Sequence, residues 1–438
     1  MHKPRRLSTF LLASATVVMS SASAFAQVDA PPAAPAESAP IDVPPPPPPP
    51  PPPVEVAPPP PVPPAAVPMG ASVAATTAIA PSQSPFKIET PNGSSIKLGL
   101  LLQPQFQMSS STALDGHAYN LYLRRTRILL GGTLFGAIEY FVETDSPNLL
   151  LASSTGAKGT PGVAIQDAFA TAKPFGDVFK VDVGYMLPPL AHNAVQGAGT
   201  LLGWDYFANS FLTSAAPFFG AAASTVGRDT GVQLRGLVLD GHLEYRAGLF
   251  QGIRNPPAED ANMMATSLPA RNFFRFAARV QVNLLDPETG FFYAGTYLGA
   301  KRILSIGGSV DIQDSYRYFA GDVFADLPAG PGVFTGQVNV AYWNGTYVTT
   351  PPKATAIMAE VGYNLAGLRI SPILRFEDRL ISSTAVNPST HVETFGGGVG
   401  WWPYGHATNL KLFFMQTRET NEAHAANQVN LQWQVYFF

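Results

Sequence analysis

Residues 428–438 place Val429, Leu431, Trp433, Val435 and Phe437 on one face and Gln428, Asn430, Gln432 and Gln434 on the other. Period-two alternation over this length predicts a β-strand with one apolar and one polar side. A soluble edge strand ending on Tyr436, Phe437 and Phe438 would invite aggregation. A membrane interface, by contrast, accommodates aromatic rings. The segment therefore predicts the closing strand of an outer-membrane barrel.

The same division recurs along the chain from Phe86. Ile96, Leu98, Leu100, Leu102 and Phe106 oppose Lys97, Gln103, Gln105 and Gln107. Leu243, Tyr245, Ala247 and Leu249 oppose His242, Glu244 and Arg246, after an Asp240-Gly241 hairpin turn. Phe274, Phe276, Ala278, Val280 and Val282 oppose Arg271, Arg275, Arg279, Gln281 and Asn283. Phe334, Val338, Val340 and Tyr342 oppose Thr335, Gln337 and Asn339, while Leu410, Leu412 and Phe414 oppose Asn409 and Lys411. Short connections at 174–176, 240–241, 364–367 and 403–406 alternate with longer ones at 109–118, 147–162, 187–226, 253–270 and 381–389. Short periplasmic turns and long external loops are the rule of bacterial barrels, which close on an even number of strands. About seventeen segments qualify. Reading 291–313 as one long strand with a periplasmic lead-in gives an all-β, antiparallel transmembrane barrel of about 16 strands over residues 86–438.

Composition agrees with this pattern. Charged residues make up 13% of the chain, about half the usual share of ~25% for a soluble protein. Past the first thirty residues no run of eighteen apolar residues marks a membrane helix. Residues 1–26 read as an export signal, with Lys3, Arg5 and Arg6 ahead of an apolar run and Ala24-Phe25-Ala26 before Gln27. Residues 27–85 contain an unbroken proline run at 44–53 and a second cluster at 58–64. That composition predicts an extended periplasmic arm, a spacer or a tether toward peptidoglycan or another periplasmic partner. The absence of cysteine fits an oxidising compartment without disulfides.

Residues 119–134 contain Leu123-Arg124-Arg125-Thr126-Arg127, followed by Ile128, Leu129, Leu130, Gly131 and Gly132. This resembles the arginine-bearing second strand of the phosphate-selective porins. Gln166-Asp167-Ala168-Phe169 before a Lys-Pro turn, Val183-Gly184-Tyr185 leading to Pro188, and Gly227-Arg228-Asp229-Thr230-Gly231 opening a strand extend the resemblance over about residues 90–438. It implies a sixteen-stranded, homotrimeric channel in the outer membrane of a Gram-negative cell, in contact with lipid and favouring anions. Adjacent Arg124 and Arg125 would face opposite ways in a regular strand, and a lipid-facing arginine costs about 2–4 kcal/mol at the midplane. A β-bulge at the pair, turning both inward, is one solution. An interfacial Arg124 is the other.

Segment 187–226 departs from a phosphate filter. Its one formal charge is Asp205, and it carries Leu201, Leu202, Trp204, Tyr206, Phe207, Phe211, Phe218 and Phe219. Such a segment is poorly suited to a solvated external loop and is expected to fold into the pore or against another subunit. A phosphate site needs several cationic donors, and this one offers none. Outside the signal and arm, 24 basic residues face 26 acidic ones, so selectivity must come from placement. Alternation and the motif assign Lys97, Arg124, Arg125, Arg127, Arg235, Arg246, Arg271, Arg275, Arg279, Arg369, Arg375 and Lys411 to the lumen. Glu139, Glu143, Glu244 and Asp311 share it. Arg271, Arg275 and Arg279, about 13 Å apart in successive pairs, form an expected ladder for anions.

Other chemistries find little support. His242 lies beside Asp240 without a serine nucleophile motif, so catalysis is not expected. No Cys/His cluster marks a structural metal, no cofactor motif stands out, and the scattered basic residues do not form a nucleic-acid patch. The expected function is passive diffusion of small hydrophilic solutes with an anion preference, phosphate among them. A structural barrel anchoring the proline-rich arm is the alternative.

Overall fold

The computed structural model describes residues 84–110, 116–152, 156–158, 162–206, 228–252, 258–259, 265–267, 274–313, 316–344, 353–383, 389–420, 422 and 424–438. The expected export signal, all but the end of the expected proline-rich arm, Arg271 and residues 207–226 of the long loop lie outside them.

Sixteen antiparallel strands close into one barrel. The first seven wall strands are β2 (Ser95–Ser110), β3 (His117–Leu134), β4 (Ile138–Asp145), β5 (Ala164–Ala172), β6 (Lys180–Met186), β7 (Asp229–Val238) and β8 (Leu243–Phe250). Nine more follow: β11 (Arg275–Asn283), β12 (Ile303–Gln313), β13 (Tyr316–Ala329), β14 (Gly332–Asn344), β15 (Lys353–Leu365), β16 (Ile370–Ile381), β17 (Thr390–Trp401), β18 (Thr408–Glu419) and β19 (Ala426–Phe437). The wall is sealed where β19 meets β2, with Leu431 opposite Phe106, and where β8 meets β11, with Ala247 opposite Ala278. Closure gives each wall strand a partner on both sides, which a backbone in lipid requires. Within the connection between β8 and β11, β9 (Ala258–Glu259) pairs antiparallel with β10 (Ala265–Ser267). The short β1 (Phe86–Glu89) pairs with the start of β2.

Alternation sets which side chains face lipid. On β18, Leu410, Leu412 and Phe414 are exposed outward, while Asn409, Lys411, Phe413 and Met415 are buried inward. Tight connections at 135–137, 239–242, 330–331 and 366–369 gather at one end. At the β7–β8 turn, Leu239, Asp240 and Gly241 all adopt positive φ (53°, 55° and 88°), a geometry that Asp and Gly tolerate best.

One element differs from the sequence expectation. Residues 291–302 do not extend β12. The whole connection 284–302 leaves the wall, turns into the barrel and buries Tyr293, Thr296 and Leu298. Alternation could not reveal this, because Phe291, Phe292 and Tyr293 pack against interior groups and not against lipid. From the opposite end residues 187–206 also fold inward, through two short 3-10 turns, His192–Val195 and Ala198–Thr200. The two segments touch through backbone hydrogen bonds. Gly197 N donates to Tyr293 O at 2.8 Å, Tyr293 N to Val195 O at 3.1 Å, and Gly295 N to Thr200 O at 3.1 Å.

Candidate pore and its lining

The in-folded segment 187–206 is held by two apolar patches and a set of cations. Leu190, Ala191 and Ala194 sit on Tyr316, Tyr318, Trp343 and Met358, inward residues of β13, β14 and β15. Leu202 and Trp204 sit on Ile373, Phe413 and Met415 of β16 and β18.

The cations come from the arginine motif and the far wall. The pairing of β2 with β3 slips between Gln103–Arg125 and Pro104–Leu123, leaving Arg124 as an extra, bulged residue. The bulge lets both arginines reach the same carboxylate: Arg124 Nε donates to Asp205 Oδ2 at 2.7 Å, and Arg125 Nη2 pairs with Asp205 Oδ1. Of the two solutions open at this pair, the structure adopts the bulge. Arg375 Nη1 donates to the backbone oxygen of Asp205 at 2.6 Å, and Lys411 Nζ to those of Leu201 and Gly203 at 2.6 and 2.7 Å.

A second group of cations secures 284–302. Arg246 donates to Phe291 O at 2.7 Å and to Gly290 O at 3.1 Å. Arg279 reaches Tyr293 Oη at 3.3 Å and Leu190 O at 3.2 Å, touching both in-folded segments.

These arginines, and Arg275 beside them on β11, are also neutralised nearby. Arg279 pairs with Asp322 (2.6 Å), Arg275 with Asp311 (2.6 Å) and Asp229 (3.4 Å), Arg246 with Glu244 (2.7 Å), and Arg375 with Glu377 (2.8 Å) and Glu360 (3.4 Å). The expected ladder is thus two buried ion pairs at Arg275 and Arg279, with Arg271 outside the described residues. Arg369, placed in the lumen by alternation, is instead an exposed residue of the β15–β16 turn at φ 56°, bonded to Pro403 O.

Below the meeting of the two segments lies a cavity of about 800 Å³ that reaches the short-turn end. Among the described residues its lining carries eight cations (Lys87, Lys97, Arg127, Lys173, Lys180, Arg228, Arg235 and Lys301) and three carboxylates (Glu139, Glu143 and Asp177). Aromatic rings complete it, including Phe141, Phe169, Phe291, Phe292 and Phe438. The carboxylates that balance its arginines are set into the wall. Arg127 meets Asp145 at 2.9 Å, Arg228 meets Asp167 at 3.0 Å, and Arg235 meets Asp182 at 2.7 Å, with all three aspartates at most 2% exposed. At the mouth, a hydrogen bond from the Lys180 ammonium holds the Asp177 carboxyl below its ordinary range. Lys97 lies 3.7 Å from the ring centre of Phe438, which turns into the barrel over Gly99 and Gly131.

Lys173, Lys180, Arg228 and Lys301 were not singled out by alternation. Each lies at a strand end or in a connection, where period-two facing carries no information.

The outward face decides what surrounds the wall. Ile128, Val183, Leu249, Leu374, Phe395 and Trp433 are exposed on six different strands around the barrel, and apolar residues on a closed wall of this kind belong against lipid. The chain is an outer-membrane β-barrel. No family model and no curated protein matches it by sequence. Among solved structures it is similar to a loop L8 deletion mutant of OmpT, an outer membrane protein of Vibrio cholerae, with 12% identity over 79% of this chain and 100% of that one at TM-score 0.48. It is also similar to OccK1 (OpdK) of Pseudomonas aeruginosa, with 10% identity over 78% and 98% at TM-score 0.45. A BenF-like porin from Pseudomonas fluorescens Pf-5 gives 12%, 78% and 98% at TM-score 0.44.

Proposed function

We propose that this barrel is a passive channel for small hydrophilic solutes, favouring anions. The observation that carries the reading is the placement of charge around the 800 Å³ cavity, with eight cations lining it against three carboxylates. A fixed excess of one sign at a narrow mouth raises the local concentration of the opposite ion, even where the chain as a whole is near neutral. Much of that excess is balanced by the recessed aspartates, so the preference is mild and screened by salt over about 8–10 Å.

A dedicated phosphate site is not part of this reading. Arg127, Arg228 and Arg235 spend donors on carboxylates, and the in-folded segment brings no cation of its own. The test is the reversal potential across a planar bilayer under a salt gradient. The native channel should sit on the anion side, and Lys97→Gln with Lys173→Gln and Lys301→Gln should move it toward cations. A native channel that is cation-selective would refute the reading.

A further inference from the structure

Outside the pore, one group of side chains converges in a way that the sequence order hides. Asp378 on β16 and Glu393 on β17 are directly opposite in the strand register, and His391 lies two residues from Glu393 on the same face. That face is the outward one, because Glu377 and Thr394, their neighbours, are buried in the barrel. One ligand atom from each of Asp378, His391 and Glu393 lies within 4.8 Å of the others. His391 Nε2 contacts Asp378 Oδ1 and stands 3.8 Å from Glu393 Oε1.

Two like charges placed opposite each other on neighbouring strands repel, so the pair calls for a cation between them. The geometry points to a divalent transition-metal site, of the zinc class, held by Asp378, His391 and Glu393 on the outer surface of the barrel. An imidazole nitrogen with two carboxylates suits zinc and its neighbours, whereas calcium and magnesium take oxygen donors. Three protein donors leave at least one position for water. The site lies toward the loop end, one outward step beyond Phe376 and Phe395, with the exposed Leu380 directly opposite His391. A metal there would tie β16 to β17 beside the external loop that joins them. The competing cation is Arg418, which is opposite Glu393 on β18.

The test uses purified, tag-free protein in detergent, titrated with Zn2+ by calorimetry and with Co2+ by visible absorption. One equivalent per chain should bind, with the cobalt spectrum of a low-coordinate site. His391→Gln and Asp378→Asn should each weaken binding at least about tenfold, while His424→Ala, at an exposed histidine in the next external loop, should leave it unchanged. Heat-modifiable migration on gels confirms that each variant is a folded barrel. Absence of a saturable equivalent, or equal affinity in His391→Gln, would overturn the assignment.

Discussion

Nε of Arg124 donates a hydrogen bond of 2.7 Å to Asp205 across 81 positions of sequence. The one formal charge of the in-folded segment therefore sits on the bulged arginine of β3, joined there by Arg125. Removing one partner of a buried ion pair costs about 3–5 kcal/mol, because the other charge is stranded. Asp205→Asn should loosen segment 187–206 and release two arginines toward the lumen. Single-channel recording should show higher conductance and a stronger anion preference. Unchanged values of both would mean that the apolar patches alone hold the segment.

Arg279 and Asp322 give a contrasting case. Arg279→Gln should strand Asp322 and lower the temperature of the heat-modifiable gel transition, by a local loss of about 3–5 kcal/mol. Adding Asp322→Asn should restore much of it and leave the reversal potential at the native value. A strong shift toward cations in the double variant would show that Arg279 does act on passing ions.

Gly295 lies where the two in-folded segments pass backbone to backbone. A Cβ at this position would lie 2.7 Å from the Leu201 Cα and 2.8 Å from the Leu202 nitrogen. Both are backbone atoms, so Gly295→Val must push the segments apart. The expected result is a larger and noisier single-channel current in a barrel that still assembles.

His406, in the β17–β18 turn, donates from Nε2 to Thr296 O at 3.0 Å and so joins that turn to 284–302. Burial, with nearby Lys411, pushes its pKa down to about 4 from an ordinary 6.5. Between these values the undocked histidine takes a proton and the docked one does not. Docking is therefore weakened as pH falls from about 6.5 to 4, by up to roughly 3 kcal/mol at about 1.4 kcal/mol per unit. Current fluctuations should rise across this window when the short-turn side is acidified. His406→Asn should remove that pH dependence, and its persistence would place the titrating group elsewhere.

The wall was legible in the sequence because lipid imposes a period of two on nearly every strand. At β19 and β2 even the facing of Gln105, Asn430 and Gln432 could be read, since their amides bond to one another inside the barrel. The interior was less legible. Phe413 and Met415 are as apolar as their lipid-facing neighbours, because they pack on Leu202 and Trp204. Tyr293 likewise resembles a membrane aromatic until its contacts with His192 and Arg246 are seen. For the inward arginines alternation gave the side but not the partner. Partners such as Asp182 for Arg235 come from other strands, and pairing across a barrel is fixed by register and not by spacing.

Because two segments from opposite mouths meet inside the wall, the space left between them is not a property of the strand number. The same wall could serve channels of quite different bore, with a few substitutions in 187–206 or 284–302 retuning what passes while the lipid-facing pattern stays intact. Barrels that share this wall are thus free to diverge in cargo, and likeness of their strands alone says little about what each one admits.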